Sequence, residues 1–151
     1  MVTMRRISGN ATIAAPPSEV YAFVADPANV PLWQSQVISS VRTSPSPTVT
    51  GSTGEIVFEV MGQRVTAVTT IREAVQDKRL VIASSVSGMS VVGTVDLAPA
   101  AGGTQVTYSS EIKAESIWMA PMEGLVADAA ERDIAPSLER LKAALMKAAD
   151  G

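Results

Sequence analysis

Tyr108 and Asp133 are the residues of this chain best suited to moving a proton. A tyrosine hydroxyl can donate a hydrogen bond to a carbonyl oxygen, and an aspartate beside an apolar helix stripe can act as a base if burial raises its pKa. The alternative for Asp133 is a solvated helix charge next to Arg132. The field is this narrow because the 151 residues include no cysteine and no histidine. The first absence excludes disulfides, thiolate chemistry and cysteine-held zinc or iron–sulfur clusters. The second removes the usual base near neutral pH and the commonest metal ligand. No glycine-rich phosphate loop, Ser-Lys pair or inward pair of carboxylates stands in their place. Neither a metal nor a cofactor is expected, and any catalysis must depend mainly on the shape of a site.

The elements that would position these groups follow from the pattern of apolar residues. Thr3 to Ala14 alternates β-branched residues and predicts a first strand. Pro16 and Pro17 stop it and open a helix through Ala25, where a missing N–H is harmless in the first turn. Asp26-Pro27 then caps a second short helix to about Val30, which Pro31 is expected to end. Period-two segments follow at Gln36 to Thr43, Gly54 to Met61, Gln63 to Glu73, Arg79 to Ser87, Met89 to Ala98 and Thr104 to Lys113. The breakers SPSPTVTGST at 44–53 make a surface loop, and Gly62, Gly88 and Ala100 to Gly103 supply tight turns. Pro121 opens a long helix to about Ala149, with an apolar stripe of Leu125, Ala129, Leu138, Leu141 and Leu145. Asp128 and Arg132 are spaced to pair on its surface. This order predicts an α+β fold: two short helices after the first strand, a curved seven-stranded antiparallel sheet, and a long C-terminal helix on one sheet face. With no linker or repeat, residues 1–151 read as a single domain.

Strand parity predicts which side chains meet the long helix. If Glu55 and Glu59 are solvated, Ile56, Phe58 and Val60 point inward. The same argument turns Val65, Ala67, Thr69 and Ile71 inward, then Leu80, Ile82, Ser84 and Val86. On the last two strands it turns in Met89, Val91, Gly93, Val95 and Leu97, then Val106, Tyr108, Ser110 and Ile112. Arg64 and Arg72 project outward. The inward set is apolar except for Thr69, Ser84, Ser110 and Tyr108. A few polar groups among many apolar ones suit a small-molecule site, where the polar atoms fix orientation. The competing expectation is that these hydroxyls bond to nearby backbone.

Bulk composition removes other classes. A net charge of −3 and a pI near 4.9 oppose nucleic-acid binding, which needs clustered Lys and Arg. Arg5-Arg6 is the only basic cluster. No apolar run approaches the roughly 18 residues of a membrane span. The start MVTMRRISGN lacks the apolar core of a signal peptide, so a cytoplasmic location is expected. With 46% hydrophobic residues and a mean hydropathy of +0.22, the chain suits either a lined interior or an Ala/Val-rich core.

Three local marks carry a family resemblance. They are I-x-A-P-P-x-x-V-Y-A-F-V-x-D-P at Ile13 to Pro27, Trp33 seven residues after Asp26, and G-G-T-x-V-x-Y at Gly102 to Tyr108. In this order and spacing the chain resembles the START-like (SRPBCC) superfamily, which includes polyketide cyclase/dehydrase-like proteins and plant hormone receptors. The resemblance spans essentially the whole chain. It implies a helix-grip fold whose sheet and C-terminal helix enclose a site for a small apolar, aromatic or lipid-like ligand, in a protein acting as a monomer or homodimer. It places Trp33 at the cavity mouth, where it would either touch ligand or plug the core, and Trp118 and Met119 by the entrance, with Met122 near them. These would join Phe58, Thr69, Ser84, Met89, Tyr108 and Ser110, which strand parity turns inward. Two other activities are implied by relatives. One is an aromatase or cyclase that folds a poly-carbonyl chain and uses Tyr108 and Asp133. The other is a protein-interaction module like the ribosome-associated toxin-like members, which a filled core would favour.

Overall fold

The computed structural model describes residues 4–150 except Met61 and Ser87, with side chains through residue 146 apart from that of Val60. Thr3, Met61 and Ser87, which bound three expected strands, and the inward position of Val60 lie outside the described residues. The chain runs β1 (Met4–Ile13), α1 (Pro17–Ala25), a 3-10 turn (Pro27–Asn29), α2 (Val30–Trp33), then β2 (Val37–Arg42), β3 (Thr53–Val60) and β4 (Gln63–Val75). It continues through β5 (Arg79–Val86), β6 (Met89–Ala100), β7 (Gly103–Ala114), a second 3-10 turn (Ile117–Met119) and α3 (Ala120–Asp150). The seven strands form one antiparallel sheet in the order β1-β7-β6-β5-β4-β3-β2. The helix-grip α+β architecture is therefore present.

Local chemistry accounts for the start of this order. Pro16 and Pro17 break β1 and begin α1, which buries Val20, Tyr21 and Val24. The Asp26 carboxylate accepts from Ala28 N at 3.0 Å and so caps the following turn. Pro31 does not end the helix as expected. It sits in the first turn of α2, where no N–H is needed, and the chain stays helical to Trp33.

α3 packs on β1 and β7 and touches α2. Its close approach to β1 depends on Gly9, because a Cβ there would lie 2.3 Å from Ile134 Cγ2 and 3.4 Å from Leu138 Cδ1. Below this contact Ile7, Ile13, Val106, Ile112, Leu138 and Leu141 are buried as a filled core. Two helix expectations are corrected here. Leu138, Leu141 and Leu145 are buried as expected, but Leu125 is exposed and Ala127 takes the buried position near the start of α3. Asp128 does not pair with Arg132. Arg5 of β1 reaches across to Asp128 and Glu131, each at 2.5 Å, because α3 lies against that strand. Among the described residues no helix is long and apolar enough to cross a membrane.

Candidate functional site

Away from the β1–β7 end, the same sheet face curves from the helix and leaves a cavity of about 190 Å³, partly open to solvent. That is well over ten times what one water requires. It lies below the roughly 300–1,000 Å³ of drug-sized sites, so it suits a compact molecule. Its walls come from β2 to β7, the end of α1, α2 and one face of α3. Ile56, Phe58, Ile71, Leu80, Ile82 and Val91 make them mainly apolar.

Five predicted residues are brought together here: Phe58, Thr69, Ser84, Tyr108 and Ser110 all line the cavity. Asp133 joins them from α3. Four do not. Trp33 is 1% exposed and packs edge-on against Tyr108, with ring centroids 5.3 Å apart and planes at 70°. Tyr108 thus occupies the wall and Trp33 the core behind it. Met89 is buried at the hairpin end of β6, opposite Val86 on β5 and Ala114 on β7. Met122 packs against the core one turn before the lining face of α3 begins at Val126. Trp118 is 87% exposed. The tight 3-10 turn directs Met119 inward over Gly88 and leaves its neighbour in solvent.

The hydroxyls divide into two kinds. Ser110 bonds to the Tyr108 hydroxyl. Among the described residues Thr69 and Ser84 have no hydrogen-bond partner, although both face the cavity. They therefore do not follow the expectation that buried hydroxyls would bond to nearby backbone. Burial pushes the Tyr108 phenol above its ordinary pKa; the Ser110 bond opposes this and the Asp133 charge adds to it. At neutral pH Tyr108 is a neutral donor. The indole N–H of Trp33 has no partner among the described residues.

Asp133 is half-buried and not a freely solvated surface charge. Ser35 Oγ donates to one of its oxygens, and Ser137 Oγ donates to the other at 3.2 Å. Ser35 N in turn donates to Ser137 Oγ at 3.3 Å, and Gln36 Nε2 donates to Ala129 O at 3.4 Å. This group fastens the segment between α2 and β2 onto α3. Desolvation raises the Asp133 pKa and outweighs the opposing effects of the Ser137 bond, the Arg140 charge and the Gln36 backbone.

Sequence reasoning missed Arg42, Ser35 and Ser137. Arg42 also lines the cavity, because a bulge between Val37 and Ser39 shifts β2 by one residue and turns Ser40 and Arg42 inward. Its Nη1 donates to Thr48 Oγ1 at 2.8 Å, and Thr48 Oγ1 donates to Ala25 O at 2.7 Å.

A sheet gripping one long helix beside an apolar cavity defines a START-like, SRPBCC-type protein. A family model described as "Polyketide cyclase / dehydrase and lipid transport" matches residues 4–146, and the chain belongs to that family. No curated protein matches the chain in sequence. Among solved structures it is similar to a protein from Thermus thermophilus, at 19% identity and TM-score 0.79, covering 95% of this chain and 99% of that one. It is also similar to the Zhui aromatase/cyclase from Streptomyces, at 12% identity and TM-score 0.80, covering 96% and 95%. Ara h 8.0201 matches at 13% identity and TM-score 0.71, covering 96% and 99%. At these identities the structural likeness shows the fold alone.

Proposed function

We propose that this protein binds a compact hydrophobic or aromatic molecule in the cavity between the sheet and α3. The observation that carries this reading is the cavity itself: mainly apolar walls interrupted by hydroxyls, including those of Thr69 and Ser84, that face the space with no partner among the described residues. A filled core would have favoured the protein-interaction reading. Water alone is a poor occupant for so apolar a wall, whereas an apolar body gains about 25 cal/mol for each Å² it buries. Family membership agrees with this reading.

The test is a titration with N-phenyl-1-naphthylamine, whose emission rises on leaving water. Saturable enhancement is expected, and Ile82→Trp, which places an indole in the space, should abolish it while the fold is retained. Failure of the natural protein to bind, or undiminished binding by the folded Ile82→Trp variant, would sink the reading.

A second reading, catalysis on the bound molecule, is favoured by one observation. Tyr108 and Asp133, the two candidate proton-handling residues, line the same cavity. There Tyr108 donates to a carbonyl oxygen and Asp133, with its raised pKa, accepts a proton from carbon. Turnover of a poly-carbonyl substrate that is lost in Tyr108→Phe and Asp133→Asn, with binding kept, would establish it.

A further inference from the structure

The cavity wall carries two charged side chains, Arg42 and Asp133, and they differ in how the protein compensates them. Both Asp133 oxygens accept hydroxyl bonds from within the protein, so its charge is already solvated. Among the described residues Arg42 has no carboxylate partner, and one of its nitrogens is engaged, by Thr48. A guanidinium has five N–H donors in a planar fork that matches a carboxylate. The two charges also sit at opposite ends of β2. Gln36, beside Asp133, and Arg42 are six residues apart, roughly 15–20 Å along a strand. Asp133 therefore does not serve as the missing counter-ion.

Sheet register places other donors beside Arg42. Arg42 pairs with Gly54, Gly54 with Thr69, and Thr69 with Ser84, one row across the concave face. Gly54 leaves a gap in that row, and nothing larger fits. A Cβ there would lie 2.7 Å from Val41 O, a backbone atom, and 2.9 Å from Thr69 Oγ1. The Thr69 hydroxyl thus leans toward the Arg42 strand, and Ser84 follows it in the row. Among the described residues one cation and three unpartnered hydroxyls, those of Thr69, Ser84 and Ser40, border the same apolar space, and Thr69 and Ser84 share the row of Arg42. Such a set is complete only with an oxyanion present.

We infer that Arg42, with the Thr69 and Ser84 hydroxyls, forms an anion subsite, and that the ligand is an apolar molecule bearing a carboxylate. This inference rests on the ligand-binding reading above and adds the ligand's acid group and orientation to it. The carboxylate takes the Arg42 end. The apolar body lies over Ile82 and Val91 toward Tyr108.

The test compares 2-naphthoate with its neutral methyl ester, by fluorescence titration at about pH 7. The acid is expected to bind roughly tenfold or more tightly than the ester. Arg42→Gln should remove that preference, with an unchanged far-ultraviolet circular dichroism spectrum showing that the variant is folded. Arg42→Lys should keep part of the preference through its remaining charge. Equal binding of acid and ester by the natural protein, or an unchanged preference in Arg42→Gln, overturns the anion subsite and leaves the cavity reading standing. If neither probe binds, the cavity reading and the subsite fall together.

Discussion

At the β1–β7 end of the sheet, α3 comes so near that Gly9 has no room for a methyl group. Toward β2–β5 the same sheet face bounds open space. Both ends are apolar and belong to the same antiparallel sheet, so hydrophobicity alone does not separate them. Distance from α3 does. One helix can grip one end of the sheet, and the remaining face must be filled by something else or stay open. Where α3 grips, side chains meet partners on every side and their burial contributes to stability. Where it does not, side chains such as Ile82 and Phe58 border the cavity and are only partly buried. Their contact surface is held in reserve for a ligand.

The largest test of this contrast compares truncations at the two ends. Leu141→Ala, in the filled core, is expected to cost about 3 kcal/mol in urea denaturation. Ile82→Ala, on the cavity wall, should cost about 1 kcal/mol, because it enlarges a space that already exists. Equal losses would mean that the two ends are packed alike. A smaller effect is expected for glycine substitutions. Gly9→Ala forces α3 off β1 and should cost about 1–3 kcal/mol. Gly93→Ala, whose new methyl would meet its nearest neighbour, Tyr108, at an ordinary 3.6 Å, should change stability by less than about 0.5 kcal/mol. Reversal of that order would place the tight contact in the wrong half of the molecule.

Tyr108→Phe comes next, since it removes one hydroxyl bonded to Ser110 and leaves the ring against Trp33. A loss of about 1 kcal/mol is expected, measured by the same denaturation. The smallest effect concerns Asp133, and there the sign matters. Its pKa is raised in the folded state. Its contribution is therefore fully present below the ordinary aspartate value and is lost as pH rises through the folded value. The stability of the natural protein relative to Asp133→Asn should fall as pH rises above the ordinary aspartate value of about 4. A gap that stays flat or widens with pH would show that burial does not dominate at this carboxylate.

Much of this contrast was legible in the sequence, and what was not has a physical cause. Glutamates and arginines such as Glu55, Glu59 and Arg64 mark the solvent side of their strands. Period two then turned Phe58, Thr69, Ser84, Tyr108 and Ser110 toward the cavity they line. Arg42 escaped because a bulge near Ile38 inverts the parity of β2, and bulges leave little trace in residue type. The exposure of Leu125 near the start of α3 escaped for a different reason. Alanines and leucines share its first turns, so hydrophobicity favoured Leu125 where the small Ala127 is the residue buried. Asp133 was placed beside the stripe, but its partner Ser35 lies 98 positions away in the chain. No local pattern signals a contact at that separation. The tryptophans, placed at the cavity mouth and entrance by the family resemblance, went to the core and to solvent, because a shared position in the chain order does not fix which wall a ring joins.

Those two tryptophans make the protein its own optical gauge. Trp33 is sealed from water against a tyrosine that lines the cavity, so its emission belongs to an apolar setting and responds to changes around that ring. Trp118 stands in solvent on the turn before α3 and supplies a constant, red-shifted background. With Trp118→Phe the background disappears, and every remaining photon from an indole reports on the far side of the cavity wall.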